Sequence, residues 1–362
     1  MPACDRRRVR PAVQTMLWIG LLLLVVLAVP DSAQALTAPQ QSPGCLQAAP
    51  AVPPSQVVVG GRTRGVITVV PPGYRPDHAH ALVLAFHGRT SPNTEVRQYY
   101  HLEEHGPADA IYVYPSGLRD SSGGFTWWDK GDPADALRDF ALFDALVATL
   151  ERQYCIDWER IFAVGHSLGA SFVNALGCAR GDVLRAIGTL AGGMFGVHCR
   201  GQVAAAIFHN PADQLVDFNY GLGVRNFYVA YNGDQGTPDL DRLQAFTCAR
   251  YGSNNGLYPV VWCPLDRDYR HGRFYPHQWP ADAGAAIMRF FDQLPESRPV
   301  AGRLIPAIAG HDSSPRPESA PVPVLRSRFV PPSPAKPSAF ARLPAAKPEP
   351  AAQLALEERG GH

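Results

Sequence analysis

Ile161-Phe162-Ala163-Val164-Gly165-His166-Ser167-Leu168-Gly169-Ala170 decides how this 362-residue chain is read. An apolar run with strand character feeds straight into G-x-S-x-G, and a helix-forming stretch, Ala170 to Ala179, follows. Strand, sharp turn and helix in that order hold a serine on a bend so tight that neighbouring side chains would collide. Gly165 and Gly169 remove the collision and leave the Ser167 hydroxyl exposed above the strand end. The helix beginning beneath it aims N–H groups and a positive dipole end at any oxyanion formed there.

Outward from this turn, strand-like and helix-like runs alternate. Gly65–Val70, Ala81–Phe86, Ile111–Tyr114, Ala186–Leu190, Ala204–Phe208 and Pro259–Cys263 read as strands, most of them continuously apolar, as strands covered on both faces are. Between Asp135 and Tyr154 the apolar residues Leu137, Phe140, Phe143, Leu146, Val147 and Leu150 recur every three or four positions, one buried helix face. Further helices are expected over Asn219–Tyr231 and Ala281–Leu294. The alternation predicts an α/β fold, a mostly parallel sheet with helices on both faces and no separate lid domain. No G-x-G-x-x-G or P-loop follows any of these strands, so no nucleotide cofactor is expected. His101 and His105 are spaced as two metal ligands on a helix, but no third ligand accompanies them, and no metal is expected.

A serine hydroxyl needs a base, and the base a carboxylate to orient it. On a strand–turn–helix serine of this kind the partners follow in the order acid, then histidine, each on a loop after a strand. Asp213 lies on the loop after Ala204–Phe208 and is taken as the acid; Asp217, which could simply cap the next helix, is the fallback. His277, directly before the last helix, is taken as the base, with His271 its competitor between Arg270 and Arg273. The oxyanion would be met by the backbone N–H of Leu168 and by that of Arg89, on the loop His87-Gly88-Arg89 after Ala81–Phe86. His87 itself reads as a buried structural histidine.

The ends of the chain differ from its middle. Arg6, Arg7, Arg8 and Arg10 precede a 14-residue apolar run, Met16 to Val29, and Ala33-Gln34-Ala35 follows, so residues 1–35 read as a secretory signal peptide. Fourteen residues rise only about 21 Å as a helix, too short to span a bilayer, and no integral membrane segment is expected after cleavage. Residues 297–362 carry 13 of the 35 prolines and no apolar period, and read as a disordered Pro/Ala-rich tail. Residues 36–296 remain as one domain, in the periplasm or outside the cell. With 33 Lys+Arg against 32 Asp+Glu the chain has no basic excess with which to hold nucleic acid. Of seven cysteines, Cys4 goes with the signal peptide, and an even six in an exported chain favour disulfides over zinc, there being no C-x-x-C pair.

Several ordered blocks resemble one family, the secreted α/β-hydrolase esterases of the feruloyl esterase and polyhydroxybutyrate depolymerase type. They are Ala85-Phe86-His87-Gly88, Tyr114-Pro115-Ser116-Gly117, Asp139 to Leu146, Tyr154-Cys155-Ile156-Asp157, Ala163 to Gly169, Leu176-Gly177-Cys178 and His277-Gln278-Trp279-Pro280. The resemblance implies an α/β-hydrolase fold, no cofactor, and ester cleavage through an acyl-serine, with Ser167, Asp213 and His277 in the three roles. It also suggests the pairings Cys155–Cys178, Cys248–Cys263 and Cys45–Cys199. The chain departs from the family at Leu168-Gly169-Ala170, at Asn210-Pro211 after His209, and at Arg89, a cation that hints at a polar or anionic acyl group. Trp127 and Trp128 are taken as a substrate wall, one of them able instead to plug the core.

The expected function is a monomeric secreted serine esterase acting on feruloyl or acetyl esters, either small molecules or linked to plant polysaccharide. A poly(3-hydroxybutyrate) depolymerase is the alternative, disfavoured because the tail ends without a folded binding module. An alternative of another class is a non-catalytic binding protein on a hydrolase scaffold.

Overall fold

A computed structural model describes residues 41–127, 137–234, 236–252, 256–265, 269–270, 273–274 and 276–295. The expected signal segment 1–35, the Pro/Ala-rich segment 297–362, Trp128 and His271 lie outside these residues. The chain divides into two compact units, Met1–Ile305 and Pro306–His362, and everything described belongs to the first.

In chain order the elements are β1 (Gln56–Val59), β2 (Arg62–Val69), β3 (His80–Phe86), α1 (Asn93–Tyr99), α2 (Leu102–His105), β4 (Ile111–Pro115), β5 (Leu118–Arg119) and β6 (Phe125–Thr126). Next come α3 (Arg138–Gln153), β7 (Ile156–His166), α4 (Leu168–Ala179), β8 (Ala186–Leu190), β9 (Ala204–His209) and α5 (Phe218–Tyr231). The last are β10 (Asp239–Leu243), β11 (Phe246–Tyr251), β12 (Val260–Pro264), β13 (Tyr269–Arg270), β14 (Arg273–Phe274) and α6 (Ala283–Asp292). Ten strands form one sheet in the order β1-β2-β4-β3-β7-β8-β9-β12-β11-β10. Its middle, β4 through β12, is parallel, and antiparallel strands extend it at both ends. This is the α/β-hydrolase fold.

The continuous apolar runs have the two-sided burial expected of them. In β3, Leu82, Leu84 and Phe86 face one core and Ala81, Val83 and Ala85 the other. The first core is completed by α3, α4 and α5 through Phe143, Leu146, Phe172, Val173, Val224 and Tyr228. The second is completed by α1, α2 and α6 through Val96, Leu102, Ile287 and Phe290. The antiparallel extension β10–β11 was not expected, because Asp239-Leu240-Asp241-Arg242-Leu243 is polar and largely exposed at the sheet edge. Charged edge strands of this kind carry no apolar signal and resist pairing with other chains.

Two of the three suggested disulfides are corrected. The pairs are Cys45–Cys155, Cys178–Cys199 and Cys248–Cys263 rather than Cys45–Cys199 and Cys155–Cys178 with the last. The segment before Cys45 is laced onto the junction of α3 and β7. The Ser42 N–H donates to Ile156 O at 2.9 Å, Ser42 Oγ–H to Tyr154 O at 2.6 Å, and the Gly44 N–H to Glu151 O at 2.8 Å. That lacing sets Cys45 against Cys155. The loop after β8 returns to the end of α4, where the Arg200 N–H donates to Cys178 O at 2.7 Å, and so Cys199 meets Cys178. Nearness along the chain misleads here because an 11-residue strand separates Cys155 from the helix that carries Cys178.

Candidate active site

All the loops that matter leave the same end of the parallel strands, the end where open α/β sheets hold their ligands. Ser167 follows β7 and is the N-cap of α4, with φ 57° and ψ −122°, a conformation that side-chain-bearing residues rarely adopt. The flanking glycines are required by close approach. A Cβ on Gly165 would sit 2.5 Å from Gly169 O, and one on Gly169 would sit 2.5 Å from His87 O. Helix α4 therefore begins directly against the exit of β3.

Ser167 Oγ lies 2.9 Å from His277 Nε2, and His277 Nδ1 lies 2.7 Å from Asp213 Oδ2. The Nδ1–H donates to the carboxylate, which leaves Nε2 to accept the serine proton. Asp213 is buried, and its other oxygen accepts the N–H groups of Leu215 at 2.9 Å and Val216 at 3.0 Å, so the turn after β9 builds its own carboxylate cradle. Burial alone would raise its pKa. The donors facing it, His209, His277 and the Val216 N–H, outweigh burial and hold the carboxyl well below the ordinary range. Asp217 is placed elsewhere: it caps α5, accepting the Asn219 N–H at 2.8 Å.

The loop after β3 runs alongside the serine, with Ser167 Cβ 3.4 Å from where a Gly88 Cβ would stand. Beneath it His87 is fully buried; its Nε2 accepts the Gly117 N–H at 2.8 Å, which puts the ring proton on Nδ1, donated to Gly88 O at 2.7 Å. Burial pushes its pKa down to about 4, so this strut is neutral. Arg89 comes next, and its guanidinium is tied to Asp120 and to Ser122 Oγ, the latter at 2.7 Å. The cation that hinted at an anionic acyl group is thus neutralised by Asp120.

Ser167 opens into a cleft of about 560 Å³. Leu168 and Ser171 line one side and Arg89, Asp120 and Thr126 another. Its apolar lining comes from the loops after β8 and β9 and from the first turn of α5: Met194, Phe195, Leu215, Val216 and Tyr220. These five were missed in the sequence reading. The signal available for them was position alone, since each follows a parallel strand at the serine end of the sheet.

Trp127 does not line the cleft and is corrected to a core residue. It is 1% exposed, lies over Phe172 with ring centroids 5.7 Å apart, and donates its Nε1–H to His87 O at 2.6 Å. Its site is the inner face of the loop that passes Ser167, where a large apolar ring with one donor satisfies both needs. Away from the site, His78, His80 and Asp109 bring three possible ligand atoms within 4.8 Å of one another at the opposite end of β3. Both ring nitrogens of His80 there face backbone groups, Asp109 O at 2.6 Å and Arg75 O at 3.0 Å. The His101 ring meets Glu104 at 3.0 Å rather than His105.

The sequence is similar to feruloyl esterases. A probable feruloyl esterase C of Aspergillus flavus is 33% identical over 190 residues, covering 49% of this chain and 66% of the relative. The feruloyl esterase C of Emericella nidulans is 29% identical over 183 residues, 48% of this chain and 64% of the relative. The chain thus spans just under two thirds of the length of these relatives. A feruloyl esterase D of Neurospora crassa is 26% identical over 299 residues, 75% of this chain and 96% of the relative. No protein-family model matches. Among solved structures, a ferulic acid esterase of Anaeromyces mucronatus is 15% identical with a TM-score of 0.45, covering 66% of this chain and 88% of that one. An acetyl xylan esterase of Aspergillus awamori is 14% identical with a TM-score of 0.45, covering 63% of this chain and 94% of that one.

Proposed function

We propose that this protein is a serine carboxylic-ester hydrolase acting on feruloyl or acetyl esters of plant polysaccharide, or on small esters of the same acids. The observation that carries the reading is the contact chain Ser167–His277–Asp213, whose serine opens into the cleft. The names of the relatives support the choice of ester. Ser167 Oγ attacks the ester carbonyl carbon as its proton passes to His277 Nε2. Asp213, kept ionised, stabilises the imidazolium and holds its orientation. The oxyanion is met by the N–H groups of Leu168, which opens α4, and Arg89, which follows the Gly88 approach. As the tetrahedral intermediate collapses, the alcohol leaves with the proton from His277. Water then attacks the acyl-serine, with His277 taking and returning a proton in the same way, and releases the carboxylic acid.

Residues 1–35 are read as the export signal, 36–296 as the esterase domain and 297–362 as a tail. Three disulfides support passage to an oxidising compartment. Among the described residues no helix is long and apolar enough to cross a membrane. The test is turnover of methyl ferulate, acetylated xylan and p-nitrophenyl acetate by the purified chain, with fluorophosphonate labelling mapped by peptide mass. The expected result is hydrolysis and labelling at Ser167, both abolished in Ser167→Ala. Absence of both in the wild-type protein refutes the reading and leaves the non-catalytic alternative.

A further inference from the structure

His277 has to hold two contacts at once, yet it lies in the turn Pro276–Gln278, outside any helix or strand. Its backbone carbonyl oxygen is met by His166 Nε2 at 2.8 Å, across 111 residues of sequence. His166 is the last residue of β7, immediately before Ser167, and is held in register by pairing with Leu190 of β8. The two imidazoles lie side by side with centroids 5.2 Å apart. Trp279 makes an edge contact with the His166 ring at 6.0 Å and stacks on Tyr100 at 3.9 Å, so the base turn is held at two points.

We propose that His166 is a positioning residue: its Nε2–H anchors the main chain of His277, so that the strand end presenting the nucleophile also sets the place of the base. The inference rests on the reading of His277 as the base. A carbonyl can only accept, so the ring proton of His166 resides on Nε2. Burial first, and the neighbouring His277 second, push the His166 pKa down to about 4. His166 is therefore neutral at the pH where an esterase works, and no second positive charge opposes the imidazolium that His277 becomes during acyl transfer. An anchor of this kind acts through geometry, and loss of about 1 Å in placement costs on the order of 100-fold in rate.

The test compares His166→Met with His166→Gln, two side chains of similar reach of which only the second carries an N–H donor. His166→Met is expected to lower kcat on p-nitrophenyl acetate by roughly 10- to 100-fold with a smaller change in KM. His166→Gln is expected to recover most of that loss. A second readout needs no substrate: the far-downfield proton resonance of His277 Nδ1–H, bonded to Asp213, shifts and broadens in His166→Met and returns in His166→Gln. Equal kcat and an unchanged resonance in a folded His166→Met overturn the proposal, as does a His166→Gln no better than His166→Met. Should His166→Met not fold, a kcat of His166→Gln more than about 30-fold below wild type overturns it. If the wild-type protein hydrolyses no ester, the esterase reading fails, and the resonance still decides the anchor.

Discussion

Gly169→Ala tests the geometry of the serine turn most directly. The added methyl would stand 2.5 Å from His87 O and 2.8 Å from the Phe86 carbonyl carbon, with Phe86 O closer still. All are backbone atoms, so no flexible side chain can swing aside. Restoring ordinary van der Waals separation requires about 1 Å of movement. Strand β3 is the less able to give, since it is paired on both sides, to β4 and to β7, and its exit is pinned by the hydrogen bonds of His87. The displacement falls on the first turn of α4, which carries Ser167 Oγ away from its 2.9 Å contact with His277 and the Leu168 N–H away from the oxyanion. A misplacement of that size lowers kcat/KM by roughly 100-fold. Overpacking of this kind costs about 1–3 kcal/mol, a fall in Tm of roughly 2–10 °C for a domain of this size. The assay is p-nitrophenyl acetate hydrolysis beside a thermal melt. Gly223→Ala, in α5 where nothing lies within 4 Å of the new methyl, serves as the control and should be neutral or slightly stabilising. Activity within threefold of wild type and an unchanged Tm for Gly169→Ala would refute the reasoning.

Asp213→Asn should leave the fold intact and lower kcat by about 10³–10⁴-fold, read by steady-state kinetics, because the orienting charge behind His277 is lost. The pKa of Asp213 is depressed on folding, so its stabilising contribution is present above the unfolded value near 3.9 and is lost only as pH falls below it. Acid unfolding of Asp213→Asn below pH 4 should therefore be less steep than that of the wild type. Asp234 is buried, and burial, outweighing the pull of the Val260 N–H that faces it, pushes its pKa up to about 7. A raised carboxyl pKa favours folding fully below about pH 4, and that contribution is lost as pH rises through 7. Asp234→Asn should accordingly be more stable than wild type by roughly 1–3 kcal/mol at pH 8 in urea unfolding, with the gain absent at pH 4. Peptide mapping without reduction should recover Cys45–Cys155 and Cys178–Cys199; recovery of Cys155–Cys178 would show the lacing at Ser42 and Gly44 to be wrong.

What the chain determined by itself was whatever depends on local sterics and on order along the sequence. The need for glycine at 165 comes from the turn alone, where a Cβ would strike Gly169, whereas glycine at 169 is also required by the backbone of Phe86 and His87 at the exit of β3. Two-sided burial of β3, β8 and β9 follows from continuous apolar runs, and the placing of acid and base follows from the rule that loops after parallel strands share one end of the sheet. Local pattern was silent wherever two segments distant in sequence meet. Trp127 and Trp128 are neighbours of one type, and only packing against Phe172 and His87 O assigns Trp127 to the core. Asp213 and Asp217 are four residues apart on one loop, and only the tertiary structure turns the first toward His277 and the second to the end of α5. Cysteine pairing depends on where the segment before Cys45 and the loop before Cys199 lie, and neither has a period to read. The hydrogen bond from His166 to His277 O spans 111 residues and ends on a backbone atom, which no side-chain identity announces. Local chemistry specifies which groups can react, and long-range packing specifies which of them meet.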